Sequence, residues 1–382
     1  MELYLHVPFC RQKCLYCDFA SWAGRDEWMP AYVAAVLREA QAARRELGET
    51  EMETVFLGGG TPSMLPPTLL TQLLAGVCKL FPVKQGAEFT SECNPGTLTP
   101  AWLEAAMSAG VNRLSMGMQA AQPELLRRLG RIHDMAAVED SVRMARAAGI
   151  QNLSLDLMFG LPGQRLTDWQ DTVEAALALA PEHLSCYGLI PEEGTPLYDA
   201  LTCGELTLPA EEEERAMYDW ALTRLDRAGF QQYEISNFAL PGRSCRHNLG
   251  YWRQVPYLGL GPSAASMLPG RTPDAFCLRR SNVRELSAYL RQGEQGVFTP
   301  AEEVVVTRTE AWFETMMLGL RTTQGVSEVD FRAMHGVSMV EIYGSRLETL
   351  AAQGLVQHTE GCWRLTRRGM DVQNAVLVAL MD

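Results

Sequence analysis

Residues 1–22 read MELYLHVPFCRQKCLYCDFASW, and this stretch decides the fold. Glu2 to Val7 alternates and is rich in β-formers, so it reads as a strand. It runs without a break into Cys10, Cys14 and Cys17, three thiols within eight residues. A helical pattern follows at 29–47 (MPAYVAAVLREAQAARREL), with Tyr32, Val33, Val36, Leu37 and Ala40 on one face. Strand, chemistry-bearing loop, helix is the order, and the chain repeats it.

The second unit is ETVFLGGGTPS (53–63) with a helix from Pro67 to Phe81, and the third is AEFTSECNP (87–95) with a helix from Pro100 to Ala109. RLSMGMQ (113–119) precedes a helix from Met135 to Ala148. NLSLDLMFGLPG (152–163) precedes one from Asp168 to Leu179, and HLSCYGLIPEEG (183–194) is a sixth strand. Six such alternations imply parallel strands with helical crossovers, hence an α/β fold shaped as a partial (β/α)6 barrel like that of triosephosphate isomerase. Functional residues of such barrels gather at the carboxyl ends of the strands. Here those ends carry the cysteines, Gly58–Gly60, Glu92–Pro95, Gln119 and Asp156.

From about residue 300 the texture changes. Helical stretches close near Gly325 and Gly354, and LVQHTEGCWRLTRRGM (355–370) reads as a two-stranded ribbon turning at Glu360–Gly361. The expected division is a barrel over 1–265, a connecting segment over 266–300, and a small helical, winged-helix-like module over 301–382.

The 382 residues carry a net charge of −13, which disfavours undirected binding to nucleic acid or anionic membrane. No apolar run reaches the roughly 20 residues of a membrane span, and the first residues read as neither signal nor transit peptide, so a cytoplasmic protein is expected. In that compartment the ten cysteines are not expected to form structural disulfides. Cys78, Cys93, Cys186, Cys203, Cys277 and Cys362 stand singly and read as small buried hydrophobes.

The cluster at Cys10, Cys14 and Cys17 is different. Structural zinc prefers four ligands, so a zinc loop would need His6 or a distant cysteine to complete it. A 4Fe–4S cluster normally takes four thiolates; three would leave one iron open to chelation by an amino acid's amine and carboxylate.

At these residues the sequence resembles the radical S-adenosylmethionine (SAM) superfamily. In that superfamily three such cysteines bind the cluster and SAM chelates the fourth iron. The resemblance implies that Cys10, Cys14 and Cys17 hold the cluster, with Tyr16 packing beside it. Gly58, Gly59, Gly60 and Thr61 would lie along the methionine part of SAM, and Glu92, Gln119, Arg131 and Asp156 would make polar contacts to it; Tyr4 and Phe19 are assigned to the same neighbourhood. Asp156 is notable without any resemblance, because an acid amid apolar strand residues needs a partner.

YLHVPFC (4–10), FLGGGTPS (56–63), GRIHD (130–134), DLMFGLPGQ (156–164) and YEISNFA (233–239) together resemble the oxygen-independent coproporphyrinogen III oxidase group. The oxidases place a fourth cysteine two residues after the third, where this chain has Phe19, and they have a longer leading arm. A phenylalanine there, with CRHNLGYW at 245–252, resembles the heme-chaperone branch of the group, the HemW type. That resemblance implies heme as a third bound group and heme-accepting proteins as partners, with a homodimer left open, no nucleic acid, and at most peripheral membrane contact through the acceptors. His247 offers an axial ligand and Cys245 a thiolate, while Tyr251 and Trp252 offer flat faces for a porphyrin. The same residues also read as a buried, hydrogen-bonded turn with aromatics in the core. The chain has no C-x-x-C-H, so covalent c-type attachment of heme is not indicated.

The function expected is therefore heme transfer to acceptor proteins, with oxidative decarboxylation of coproporphyrinogen III as the enzymatic alternative. A redox-sensing DNA regulator is a third reading. Its recognition region, 326–353, offers Arg332 and Arg346 against Glu328, Asp330, Glu341 and Glu348, a poor pattern for phosphate contact.

Overall fold

The computed structural model describes residues 1–381. A twelve-stranded mixed sheet dominates it. Six parallel strands lie side by side in chain order within it: β1 (Glu2–Val7), β2 (Met52–Gly59), β3 (Val83–Cys93), β4 (Arg113–Gln119), β5 (Leu153–Phe159) and β6 (His183–Gly188). The crossover helices are α1 (Met29–Leu47), α2 (Pro67–Leu80), α3 (Pro100–Ser108), α4 (Met135–Ala148) and α5 (Leu166–Ala178). This is the expected (β/α)6 arrangement, and parallelism sends all six carboxyl ends to one side.

The helices end where local chemistry stops them. Asp134 caps α4 by accepting from the Ala137 amide at 2.9 Å, and Gly149 closes it at φ 105°, a left-handed conformation that suits glycine. Thr99 caps α3 in the same way through the Trp102 amide.

In β1 only Tyr4 is less than fully buried, so the strand is covered on both faces, as parallel strands are. Leu3, Leu5 and Val7 enter the main core with Val33, Val36, Leu57 and Leu70. Tyr4 and His6 point to the opposite face and are hydrogen-bonded to each other at 3.0 Å.

Residues 266–300 are not a simple connection. Tyr257–Leu260 pairs parallel to the outer side of β1, and Ala265–Pro269, Ala275–Ser281 and Glu302–Thr307 then add in antiparallel order. The main sheet thus continues to Thr307. The strand Ala275–Ser281 ends in Arg279, Arg280 and Ser281, which mask its β character in the sequence.

The C-terminal part has its own core around Met316, Phe331, Leu347 and Trp363. Helices Arg308–Gly319, Glu328–His335 and Met339–Ala352 pack with a small sheet of Val326–Ser327, Cys362–Leu365 and Val356–Thr359. The ribbon turns at Glu360–Gly361 with φ of 54° and 75°, a two-residue hairpin of the kind that matches strand twist. Among the isolated cysteines, Cys93, Cys186 and Cys277 are buried as expected, whereas Cys78 and Cys362 are half-buried and Cys203 is exposed. Among the described residues no helix is long and apolar enough to cross a membrane.

Leu5→Ala removes a fully buried side chain from the main core and is expected to cost about 2–5 kcal/mol in urea unfolding. Val329→Ala, at a 75% exposed position, should change stability by no more than about 0.5 kcal/mol.

Candidate functional site

The cysteine loop leaves β1 at the carboxyl side of the sheet, and Phe9–Cys10 pairs with Trp22–Ala23 to close it. Its far side is tied to the segment after β4: the Leu15 amide donates to Leu129 O at 3.0 Å, and Gln12 Nε2 to Gly130 O at 3.0 Å. Cys10, Cys14 and Cys17 are all free thiols and all line one cavity of about 430 Å³. Burial raises the thiol pKa of Cys14 and Cys17. Among the described residues no three His, Cys, Asp or Glu side chains gather around a single metal-ion position. The three thiols face the cavity from separate points of the loop, an arrangement that suits a multi-iron group in which each iron takes its own thiolate.

The glycine segment forms the next wall. Gly59 has φ 102°, and a Cβ there would stand 2.4 Å from the His6 ring. A Cβ on Gly60 would meet the Val7 and Phe9 backbone within 3 Å, and one on Gly58 would meet Glu92 at 2.9 Å. Glycine is required here for close approach as well as for backbone conformation. The Gly59 amide donates to Glu92 Oε2 at 3.0 Å. Gly59 and Gly60 line the cavity, whereas Gly58 and Thr61 stand behind it. Thr61 is buried, donates toward Cys10 Sγ at 3.5 Å and accepts from Asn94 Nδ2 at 2.8 Å.

Much of the rest of the cavity wall is polar. Arg131 donates to the Tyr16 hydroxyl at 2.6 Å and to Asn94 Oδ1 at 2.8 Å. Burial opposes its charge, but Tyr16 and Cys14 outweigh that and hold it protonated. Asp156 accepts from Ser115 Oγ at 3.1 and 3.3 Å, yet burial still raises its pKa. Glu92 is pushed up to about 8 by burial first and by Asp156 second. Gln119 lines the same cavity at φ 64°, where the β4–β5 register slips between Gly117 and Gln119. Such a conformation costs roughly 1–3 kcal/mol in a non-glycine residue and is concentrated at functional sites.

Asn94, within the strand-end segment 92–95, also lines the cavity, and so do Arg113 and Ser115, which the sequence pattern did not mark. Arg113 is 2% exposed and its Nε has no hydrogen-bond partner. An arginine opening the apolar run RLSMGMQ was the available clue, since a buried guanidinium needs compensation.

The remaining candidates lie elsewhere. Tyr4 does not reach the thiol cavity; it lines a second one of about 510 Å³, and Phe19, 62% exposed, lines both. Cys245 and His247 line neither. Cys245 is fully buried and donates to Glu88 Oε1, the same carboxylate that accepts the amides of Arg246 and His247 at the start of the helix Arg246–Trp252. His247 has both ring nitrogens engaged, Nδ1 with Thr54 Oγ1 at 2.7 Å and Nε2 with the Tyr251 hydroxyl at 2.8 Å. In this arrangement neither residue offers a free donor atom to an iron, and the turn takes its buried, hydrogen-bonded form. Tyr251 reaches the second cavity, whereas Trp252 faces a third beside the C-terminal module, with the Arg321 guanidinium 4.8 Å over its ring. The structure therefore does not assemble the four residues into one site.

Residues 4–176 match the radical SAM superfamily and residues 306–372 the HemN C-terminal domain. The chain is 36% identical to the heme chaperone HemW of Bacillus subtilis, covering 99% of this chain and 98% of that one. It is 34% identical to the heme chaperone HemW of Escherichia coli, covering 99% and 97%. The solved structure of coproporphyrinogen III oxidase (HemN) from Escherichia coli superposes with a TM-score of 0.83 at 22% identity, over 99% of this chain and 89% of that chain, a likeness of fold. With a cysteine cavity at the carboxyl ends of six parallel strands and full-length relatives well above 30% identity, the chain belongs to the HemW heme chaperone family of radical SAM proteins.

Proposed function

We propose that this protein carries heme to acceptor proteins and holds a 4Fe–4S cluster and SAM in the thiol cavity. The observation that carries the reading is the wall shared by two cavities. One presents three thiols and buried polar groups, and the other, with tyrosines on its walls, begins at Phe19, where the oxidases have a fourth cysteine.

The donor set fits the cluster and SAM. Cys10, Cys14 and Cys17 would ligate three irons and leave one for the amine and carboxylate of SAM. Gly59 and Gly60 would let backbone approach the methionine portion, with Gly58 and Thr61 supporting them from behind. Glu92 and Asp156 would face its positive charges, while Arg131, through Tyr16 and Asn94, would fix the cavity wall, and Gln119 would add a polar contact. The cluster, when bound, supplies an electron for reductive cleavage of the SAM sulfonium. The residues around it bind, orient and exclude water.

The deciding experiment loads the protein with heme and mixes it with an apo-hemoprotein, beside an anaerobic turnover assay with SAM, reductant and coproporphyrinogen III. Heme transfer without protoporphyrinogen formation is expected; protoporphyrinogen formation would overturn the reading in favour of the oxidase. Cys14→Ala should reduce cluster iron and its visible absorption to near background after reconstitution.

A second expectation comes from Glu92. Its carboxyl is near 8 in the folded chain against an ordinary value of 4.5, so the folded state holds a proton that the unfolded state releases between those values. Its contribution to stability is complete below 4.5 and is lost as pH rises through 8. Glu92→Gln should therefore gain in melting temperature relative to the parent between pH 5 and 9. The variant retains the same sign of slope from Glu2 and Glu39, which are also raised by burial. A difference in melting temperature that does not change with pH would sink this assignment.

A further inference from the structure

The second cavity has a feature that the chaperone reading leaves unassigned. Tyr251 reaches it from the helix Arg246–Trp252, and behind Tyr251 lies His247, 1% exposed. The Tyr251 hydroxyl is hydrogen-bonded to His247 Nε2 at 2.8 Å, and the other ring nitrogen, Nδ1, is hydrogen-bonded to Thr54 Oγ1 at 2.7 Å, so the imidazole is held at both ends. Glu2 Oε2, which has no hydrogen-bond partner, stands 3.8 Å behind Nδ1. A phenol hydrogen-bonded to a buried imidazole, itself held by the Thr54 hydroxyl with the Glu2 carboxyl group close behind, is oriented by the same outer-shell logic that orients metal ligands.

Resting on the heme-carrier reading, we propose that the phenolic oxygen of Tyr251 is the axial ligand that holds ferric heme in this cavity, and that His247 is the positioning residue behind it. Tyrosine is a known axial ligand of ferric heme. Heme enters with hydroxide on its ferric iron. The iron–phenolate bond forms, the iron–hydroxide bond breaks, and the phenolic proton goes to the departing hydroxide, which leaves as water. The iron stays ferric and no electron moves.

The surroundings suit this ligand. The Tyr257 ring stands edge-on to Tyr251 at 4.7 Å, and Met267 adds an apolar wall. Arg279 and Arg284 line the same cavity and are paired with Glu314 at 2.8 Å and Asp18 at 2.7 Å. Partly exposed pairs of this kind are weak, so redirecting either guanidinium to a porphyrin carboxylate costs little. The cavity volume, about 510 Å³, lies within the range of cofactor sites.

The test is titration of ferric heme into the full chain, followed by absorption and electron paramagnetic resonance, with thermal melts to verify folding. The parent should show a high-spin ferric spectrum with a phenolate-to-iron charge-transfer band. Tyr251→Phe should lose that band and at least tenfold in affinity, and Tyr251→His should replace it with an imidazole-ligated spectrum. His247→Gln should keep the band with weaker binding, and Tyr4→Phe and Tyr257→Phe should keep it unchanged. The proposal is overturned if Tyr251→Phe keeps the parent spectrum, if the band disappears with Tyr4 or Tyr257 instead, or if the parent shows an imidazole spectrum that His247→Gln removes. A parent that binds no heme saturably overturns both the ligand and the carrier reading. A phenolate spectrum lost in Tyr251→Phe, with no transfer to an apo-hemoprotein, supports the ligand and overturns the carrier reading alone.

Discussion

The close approach of Gly59 to His6 is the contact on which the site depends. The imidazole fills the space that a side chain at 59 would need, and its Nε2 donates to Ala20 O at 2.8 Å, where the cysteine loop returns toward the sheet. One buried ring thus spaces β1 from β2 and anchors the end of the thiol loop. The Gly59 amide, freed from any side chain of its own, is left to bind Glu92 on β3. Three consecutive strands are brought into register by groups that also shape the cavity.

The second organising fact is electrostatic. Glu92, Asp156, Arg113 and Arg131 share a small, largely buried space. Taking such groups out of water costs several kcal/mol each unless their charges are met. Serine hydroxyls, one glycine amide, Tyr16 and Asn94 meet part of that need. The unpaired Nε atoms of Arg113 and Arg131 show that it is not met in full. Fixed, underused polar groups are suited to a zwitterionic, cationic ligand, because the reorganisation has already been made in folding.

Much of this was legible in the sequence, for definable reasons. Parallel strands buried on both faces give short apolar runs, and the helices between them keep their period, so RLSMGMQ and the helix 135–148 could be bounded to the residue. The cysteine spacing is local and survives without tertiary information. Arg113 could not be placed, because its role depends on strands distant in sequence that converge on its guanidinium. His247 illustrates the opposite failure. Residue type advertised a ligand, whereas Thr54 on β2 and Tyr251 one turn along its own helix had already taken both nitrogens. Which atom of a motif faces a cavity is settled by neighbours that the motif does not contain.

Phe19 belongs to the walls of two cavities at once, and this has a thermodynamic corollary. If filling one cavity displaces its ring, the other changes shape, and the free energy of that displacement is a term common to both binding equilibria. Linkage then requires the influence to be mutual and equal: however strongly an occupant of the thiol cavity alters retention in the neighbouring one, the neighbour's occupant alters retention in the thiol cavity by the same factor. A single exposed aromatic ring would then be enough to make two separate retention equilibria one.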